Sequence, residues 1–200
     1  MGVISEIASF LVRTVGGLFF WAVLLRFLLQ LARADFYNPI SQSLVRITNP
    51  VLKPMRRLIP GLFGLDMAAL VLAVAVKFLT LLALVAIAGI GSPNLVLLLL
   101  WSLLSCVVTI LNIYYLAMLI TIILSWVAAG SYHPAVMLVH QIAEPMLAPF
   151  RRLLPSMGGI DFSPMLAFIV IYVVQILLRA AANAVGLDAQ FAMGMLFLGI

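Results

Sequence analysis

The sequence predicts an all-helical, polytopic membrane protein: four transmembrane helices forming two parallel helix–Pro/Arg loop–helix repeats, with interfacial short helices in the loops. Three observations carry that expectation. Residues of the AVILMFWYC set make up 66% of the 200 residues and charged residues only 8%, with a mean hydropathy of +1.29. Soluble domains run nearer 25% charged, because they need a wetted surface. Several apolar stretches reach the ~20 residues that a helix needs to cross a hydrocarbon core of about 30 Å. The chain also repeats itself at a constant spacing. A soluble enzyme, a disordered chain and a nucleic-acid binder are excluded by the first observation alone.

The spans are read in order. Residues 15–34 form the first, interrupted by Arg26 and Gln30, and residues 66–89 the second, with Lys77 inside it. Residues 94–128 would make a helix of about 52 Å, too long for one upright span and too short for two. A steep tilt, or a break near Thr109–Asn112 with an interfacial helix before it, resolves the length. Residues 164–185 form the last span, with Gln175 inside and Arg179 near its end, and the apolar tail Phe191–Ile200 is too short to cross.

The repeat is the strongest signal. NPISQSLVRITNPVLKPMRRLIPGLFGLD from Asn38 aligns without a gap on HPAVMLVHQIAEPMLAPFRRLLPSMGGID from His133, at an offset of 95. Pro39, Pro50, Pro54 and Pro60 fall on Pro134, Pro145, Pro149 and Pro155. Arg56 and Arg57 fall on Arg151 and Arg152, Gly64 on Gly159, and Asp66 on Asp161. Residues 1–92 therefore form a first repeat with its interfacial loop at 38–62, and residues 93–200 a second with its loop at 133–157. The same offset carries the first span onto residues 109–129, which supports a break in the long segment. Two spans per unit return the chain to its starting side, so the repeats run parallel, unlike the inverted repeats of many transporters.

Seven of the eleven cations lie in the two inter-helix loops, among them Arg33, Arg46 and Lys53 as well as the arginine pairs. The positive-inside bias puts both loops in the cytoplasm and the termini on the opposite side. Within each loop, proline at a helix start costs nothing, so Asn38-Pro39 and Asn49-Pro50 read as cap-plus-start pairs. Pro54 removes a donor and predicts a kink or restart, and Pro60 a stop. Ile40, Leu44 and Ile47 share a face, as do Met55, Leu58 and Ile59, with the arginines elsewhere; in the second copy Phe150, Leu153 and Leu154 stand against Arg151 and Arg152. This is the pattern of an interfacial segment whose guanidinium forks meet anionic phospholipid headgroups. A specific anionic ligand or protein partner at the arginine pairs, and packing of the two loops against one another, are the other readings.

Asp66 and Asp161 each open a span, where a carboxylate caps orphan N–H groups; an ion pair with the arginine doublet is the alternative. Asn49 and Glu144, each before a proline, also read as caps. Arg26 lies about 12 Å from the end of its span and Lys77 about 16 Å into its own, at similar depth and without an acid in any span. Intramembrane charges are functional hypotheses by default, so an ion channel or transporter using Arg26 and Lys77 is one function class. Neither recurs, since Thr121 and Tyr172 stand at the equivalent positions. His133 and His140 invite a metal or haem reading, but their counterparts Asn38 and Val45 form no symmetric ligand pair. A cap and a headgroup contact fit them better, and neither metal nor cofactor is expected. Cys106 is the single cysteine, so no disulfide or redox pair exists. The N-terminus carries Glu6 and no basic leader, unlike a secretory signal.

The duplicated loop resembles the YggT family of small bacterial membrane proteins, which has relatives in plastids. The likeness rests on Asn49-Pro50, Pro54, Arg56-Arg57, Pro60, Asp66 and their second copies, and covers nearly the whole chain. The second copy departs at Glu144 and Ala148, where the first has Asn49 and Lys53. The resemblance implies a multi-pass bacterial inner-membrane protein linked to tolerance of osmotic and extracytoplasmic stress. It also implies a link to plastid relatives associated with haem attachment to a membrane cytochrome and with division or nucleoid organisation. An assembly factor or division-linked scaffold is thus a third function class. No catalytic residue carries over, and two histidines with one buried thiol leave little chemistry for an enzyme. The expected partners are the bilayer itself, a further copy of the chain or another membrane protein, and no nucleic acid.

Overall fold

Apolar runs without interior proline close their own backbone hydrogen bonds, which is the condition for crossing hydrocarbon. In the computed structural model, which describes residues 2–62, 64–89, 94–127, 130–153 and 161–184, this condition is met four times. The described residues form α1 (Val3–Leu31), α2 (Pro39–Leu58), α3 (Met67–Ala88), α4 (Leu95–Val127), α5 (Pro134–Leu153) and α6 (Ser163–Ala184). Helices α1, α3, α4 and α6 are long and apolar enough to span a membrane. The chain is a multi-pass, all-helical membrane protein built from two copies of a span, a proline-bearing helix and a second span.

Two expectations about helix breaks are corrected. No break occurs at Thr109–Asn112: α4 runs unbroken for 33 residues, about 50 Å. It holds no glycine or proline, and a polar Asn112 side chain does not interrupt a backbone ladder. Nor does Pro54 divide the loop. Helix α2 passes through Pro50 and Pro54, and α5 through Pro145 and Pro149. Prolines four apart stack on one side of a helix, and all four of these are exposed. The carbonyls that lose a donor therefore open outward, where polar surroundings can satisfy them, and the rest of the ladder holds. Asn49 and Glu144 consequently lie inside helices rather than capping them. The first span also begins twelve residues earlier than the composition suggested. Pro155, Leu154, Gly159 and the tail Phe191–Ile200 lie outside the described residues.

Local chemistry sets the joints. Asn38 caps α2, its side chain accepting from the Ile40 N–H at 2.9 Å. His133 does the same for α5 through Nδ1, which accepts from the Ala135 N–H at 3.2 Å. Between α2 and α3 the chain reverses in a tight turn in which Leu62 and Leu65 exchange backbone hydrogen bonds of 3.2 and 2.9 Å. Gly64 takes φ of +80° there, a conformation only glycine adopts freely.

The core centres on α1, whose Phe20, Val23, Leu24 and Leu28 are buried against α3 residues Ala69, Leu72 and Ala73. Gly16 permits the close approach: a Cβ there would lie 2.4 Å from Thr80 Oγ1. The repeat solves the same problem differently in its second copy. Asn112 and Gln175, the counterparts of Gly17 and Thr80, join α4 to α6 through a 2.9 Å amide hydrogen bond. The α1–α3 contact is extensive and the α4–α6 contact slight, with α4 instead packing on α3 and α5.

Because Thr80 Oγ1 donates to the Val76 carbonyl at 2.8 Å, it cannot move aside without losing that bond. We predict that Gly16→Ala destabilises the protein by about 1–3 kcal/mol through overpacking. Thermal unfolding in detergent should show much of the loss recovered in Gly16→Ala with Thr80→Ala. Equal melting temperatures for the wild type and Gly16→Ala would refute the close-packing account.

Candidate functional site

The polar residues gather at the two proline-bearing elbows, and each elbow is held by the carboxylate that opens the next span. Asp66, only 5% exposed, caps α3 by accepting from the Ala69 N–H at 3.3 Å through Oδ1. Its Oδ2 takes Nε of Arg56 at 3.2 Å and pairs with the Arg56 Nη2. Arg56 also donates to Gln30 Oε1 at 3.3 Å. Asp161 repeats the design, with Oδ1 accepting from the Ser163 N–H at 2.9 Å and Oδ2 from Arg151 Nε at 3.0 Å. Cap and ion pair are thus one arrangement rather than alternatives.

The structure separates the arginine doublets. All four are exposed, as are Arg46 and Lys53, but Arg56 and Arg151 pair with the carboxylates at the span entrances. The expected apolar face of α2 is also redrawn. Thr48 and Leu52 are buried, and Leu44 and Met55 pack against the core. Ile40, Ile47, Val51 and Leu58 instead form an exposed stripe beside that buried face.

Arg26 and Lys77 have different surroundings. Arg26 is 4% exposed and reaches from α1 to α2, its Nη1 donating to Thr48 Oγ1 at 2.5 Å and to the Val45 carbonyl at 3.2 Å. Lys77 is 3% exposed, with Nζ 5.5 Å from the centroid of the Phe20 ring. Arg26 therefore ties an elbow to a span, and Lys77 lies in the helix interior. The acceptor Thr48 was not legible beforehand, because nothing in its neighbourhood marks a threonine as the partner of a residue 22 positions away.

Two cavities accompany the elbows. One of about 550 Å³ lies between α1 and α2 and is lined by Arg26, Gln30, Phe36, Gln42, Val45, Arg46, Asn49 and Arg56. A smaller one of about 210 Å³ lies where the two elbows meet, lined by Asp35, Tyr37, Asn38, Pro39, Pro134, Met137 and Gln141. Across that junction Asn38 Nδ2 donates to the Pro134 carbonyl at 2.7 Å, and Gln141 Oε1 accepts from the Asp35 N–H at 3.1 Å. The starts of α2 and α5 therefore pack on one another.

The elbows differ in charge. In the second, Glu144 accepts from Arg151 Nη1 at 2.6 Å, so two acids hold one arginine; in the first, the equivalent of Glu144 is the neutral Asn49. Burial, the largest single influence on Asp161, raises its pKa, but hydrogen bonds from Ser163 and Arg151 outweigh it and hold the carboxyl below the ordinary carboxylate range.

Duplicated spans joined by arginine- and proline-bearing elbows define a class of small multi-pass membrane protein, and sequence comparison places this chain within it. The CCB3/YggT family profile matches twice, over residues 5–87 and 100–182. The chain belongs to the CCB3/YggT family. An uncharacterized protein of Pseudomonas aeruginosa is 45% identical over 191 residues, covering 94% of this chain and 97% of its own length. The Escherichia coli protein YggT, also described as uncharacterized, is 37% identical over 178 residues, 89% of this chain and 92% of its own. A chloroplastic YlmG homolog of Arabidopsis thaliana is 34% identical over 65 residues, which is 32% of this chain and 25% of that protein. No solved structure matches.

Two predictions separate the elbows. Arg56→Ala strands a buried carboxylate and should cost about 1.5–3 kcal/mol. Arg151→Ala, whose partners Glu144 and Asp161 are 53% and 40% exposed, should cost less than about 1 kcal/mol. Unfolding of each variant in detergent compares them, and equal losses would sink the distinction. With the folded pKa of Asp161 depressed, its contribution is present above the unfolded value of about 3.9 and disappears as pH falls through the folded one. Protection of the Ser163 amide from hydrogen exchange should therefore hold at neutral pH and fall below about pH 4. Protection unchanged at pH 2 would contradict the assignment.

Proposed function

We propose that the protein is a non-enzymatic, multi-pass protein of the bacterial inner membrane that contributes to membrane homeostasis under osmotic or extracytoplasmic stress. Its elbow helices lie at the cytoplasmic headgroup layer and contact anionic phospholipids or a membrane partner. The observation that carries this reading is the surface of α2. The exposed stripe Ile40, Ile47, Val51 and Leu58 suits the acyl boundary, and the exposed cations Arg46, Lys53 and Arg57 lie on other faces. An amphipathic helix of this kind binds through buried apolar area plus attraction to anionic lipid. The second elbow adds the exposed Arg152.

The concentration of cations in the elbows supports a cytoplasmic orientation. Each juxtamembrane cation near an anionic leaflet contributes about 1 kcal/mol, so the exposed set helps to hold the elbows at that surface. The stress role rests on the family resemblance.

Two measurements test the reading. In a Cys106→Ser background, spin labels at Ile47→Cys and Val51→Cys should favour collisions with oxygen, and labels at Lys53→Cys and Arg57→Cys with a water-soluble quencher, in phosphatidylglycerol-containing vesicles. Water exposure at all four sites would overturn the interfacial placement. Cells lacking the protein should recover poorly from hyperosmotic shock, with rescue by the wild type and weaker rescue by Arg57→Ala with Arg152→Ala. Normal recovery of the deletion strain would overturn the stress role.

A further inference from the structure

We infer that the crevice between α1 and α2 is a binding site for a phosphate group, present in the first repeat and absent from the second. Three guanidinium side chains line it, those of Arg26, Arg46 and Arg56, together with the amides of Gln30, Gln42 and Asn49. None of its lining residues is an acid. Asp66 balances Arg56, which leaves Arg26 and Arg46 as an excess of positive charge. Arg26 is 4% exposed, and its Nε is buried without a hydrogen-bond partner although Nη1 is satisfied by Thr48 and Val45. A buried charged donor left unmatched is costly, and an anion with several acceptor oxygens is what such a donor recognises. Planar guanidinium forks suit the oxygens of a phosphate. The cavity of about 550 Å³ is roomy enough for a phosphorylated headgroup.

The second repeat supplies an internal comparison. Position by position, Arg26, Gln42, Arg46 and Asn49 are replaced by Thr121, Met137, Gln141 and Glu144, while Arg56 is retained as Arg151. There the Glu144 carboxylate takes the Arg151 Nη1 at 2.6 Å. A built-in carboxylate in the second elbow thus stands at the sequence position where the first has a neutral amide beside a surplus of guanidinium. Removing two arginines and adding an acid takes away the requirement for an external anion.

The phosphate has two possible sources, the phosphodiester of an anionic lipid and free phosphate. The lipid source rests on the headgroup-level placement of α2 proposed above, and the free source does not. Both are tested on the full-length protein. Native mass spectrometry of protein released from phosphatidylglycerol nanodiscs should show one retained lipid per chain, and equilibrium dialysis in detergent should show orthophosphate binding if the source is free. Either result supports the site, and failure of both overturns it. Asn49→Glu, which copies the second elbow, should weaken binding at least tenfold, and Arg46→Gln, at an exposed position, should do the same without threatening the fold. Arg13→Gln, at an exposed position on α1, and Glu144→Gln should bind as the wild type does. Wild-type affinity in Arg46→Gln, or equal loss in Arg13→Gln, would show that general surface charge is responsible and overturn the inference. Water-exposed labels on α2 combined with intact, Arg46-dependent orthophosphate binding would remove the interfacial reading and leave this one standing.

Discussion

A carboxylate at the mouth of a spanning helix carries more of this structure than any other single group. Asp66 and Asp161 each use one oxygen to satisfy the first turn of the next span and the other to hold an arginine ten residues back. The two tasks reinforce one another, because the cap fixes the orientation of the carboxylate that the guanidinium then grips. In an apolar protein with few charges, such contacts decide where a helix that does not cross the membrane comes to rest. On the first elbow Arg26 adds a second tie, from α1 to Thr48, so that helix is fastened to the span before it and the span after it.

The duplication preserves this joint and little else of the polar chemistry. The first copy packs Gly16 closely on Thr80, whereas in the second the counterparts of Gly17 and Thr80, Asn112 and Gln175, form an amide pair. The Arg26–Thr48 tie has no equivalent, since Thr121 and Ala143 occupy those places. Asn49 becomes Glu144, and the second arginine is neutralised within the chain. The first repeat is the more tightly packed and the more positive, and the second serves as its partner through α4, which packs on both α3 and α5. The two copies therefore share a backbone plan while dividing its uses.

Much of the architecture is legible in the amino-acid sequence. Composition and run length located four spans, the constant offset located the repeat, and Asn38 was identifiable as a cap from its place before a proline. Two departures of the structure from that reading have separate physical origins. The expected break at Thr109–Asn112 rests on run length and the repeat offset, and the expected division at Pro54 on local propensity, yet a helix without glycine or proline continues past the thickness of a bilayer. A helix also tolerates prolines when the carbonyls they free face outward. Asn112 finds Gln175 in α6, and the prolines of α2 and α5 are exposed.

From the sequence alone followed the membrane class, the twofold repetition and the arginine-rich elbows, because these depend on composition and period, which are local and additive properties. Only the tertiary structure decided which arginine of each pair meets a carboxylate, what meets Arg26, what joins α4 to α6, and where an unbalanced positive crevice forms. Those outcomes depend on residues 10, 22 or 63 positions apart meeting at hydrogen-bond distance, and no periodicity in a linear chain records such meetings.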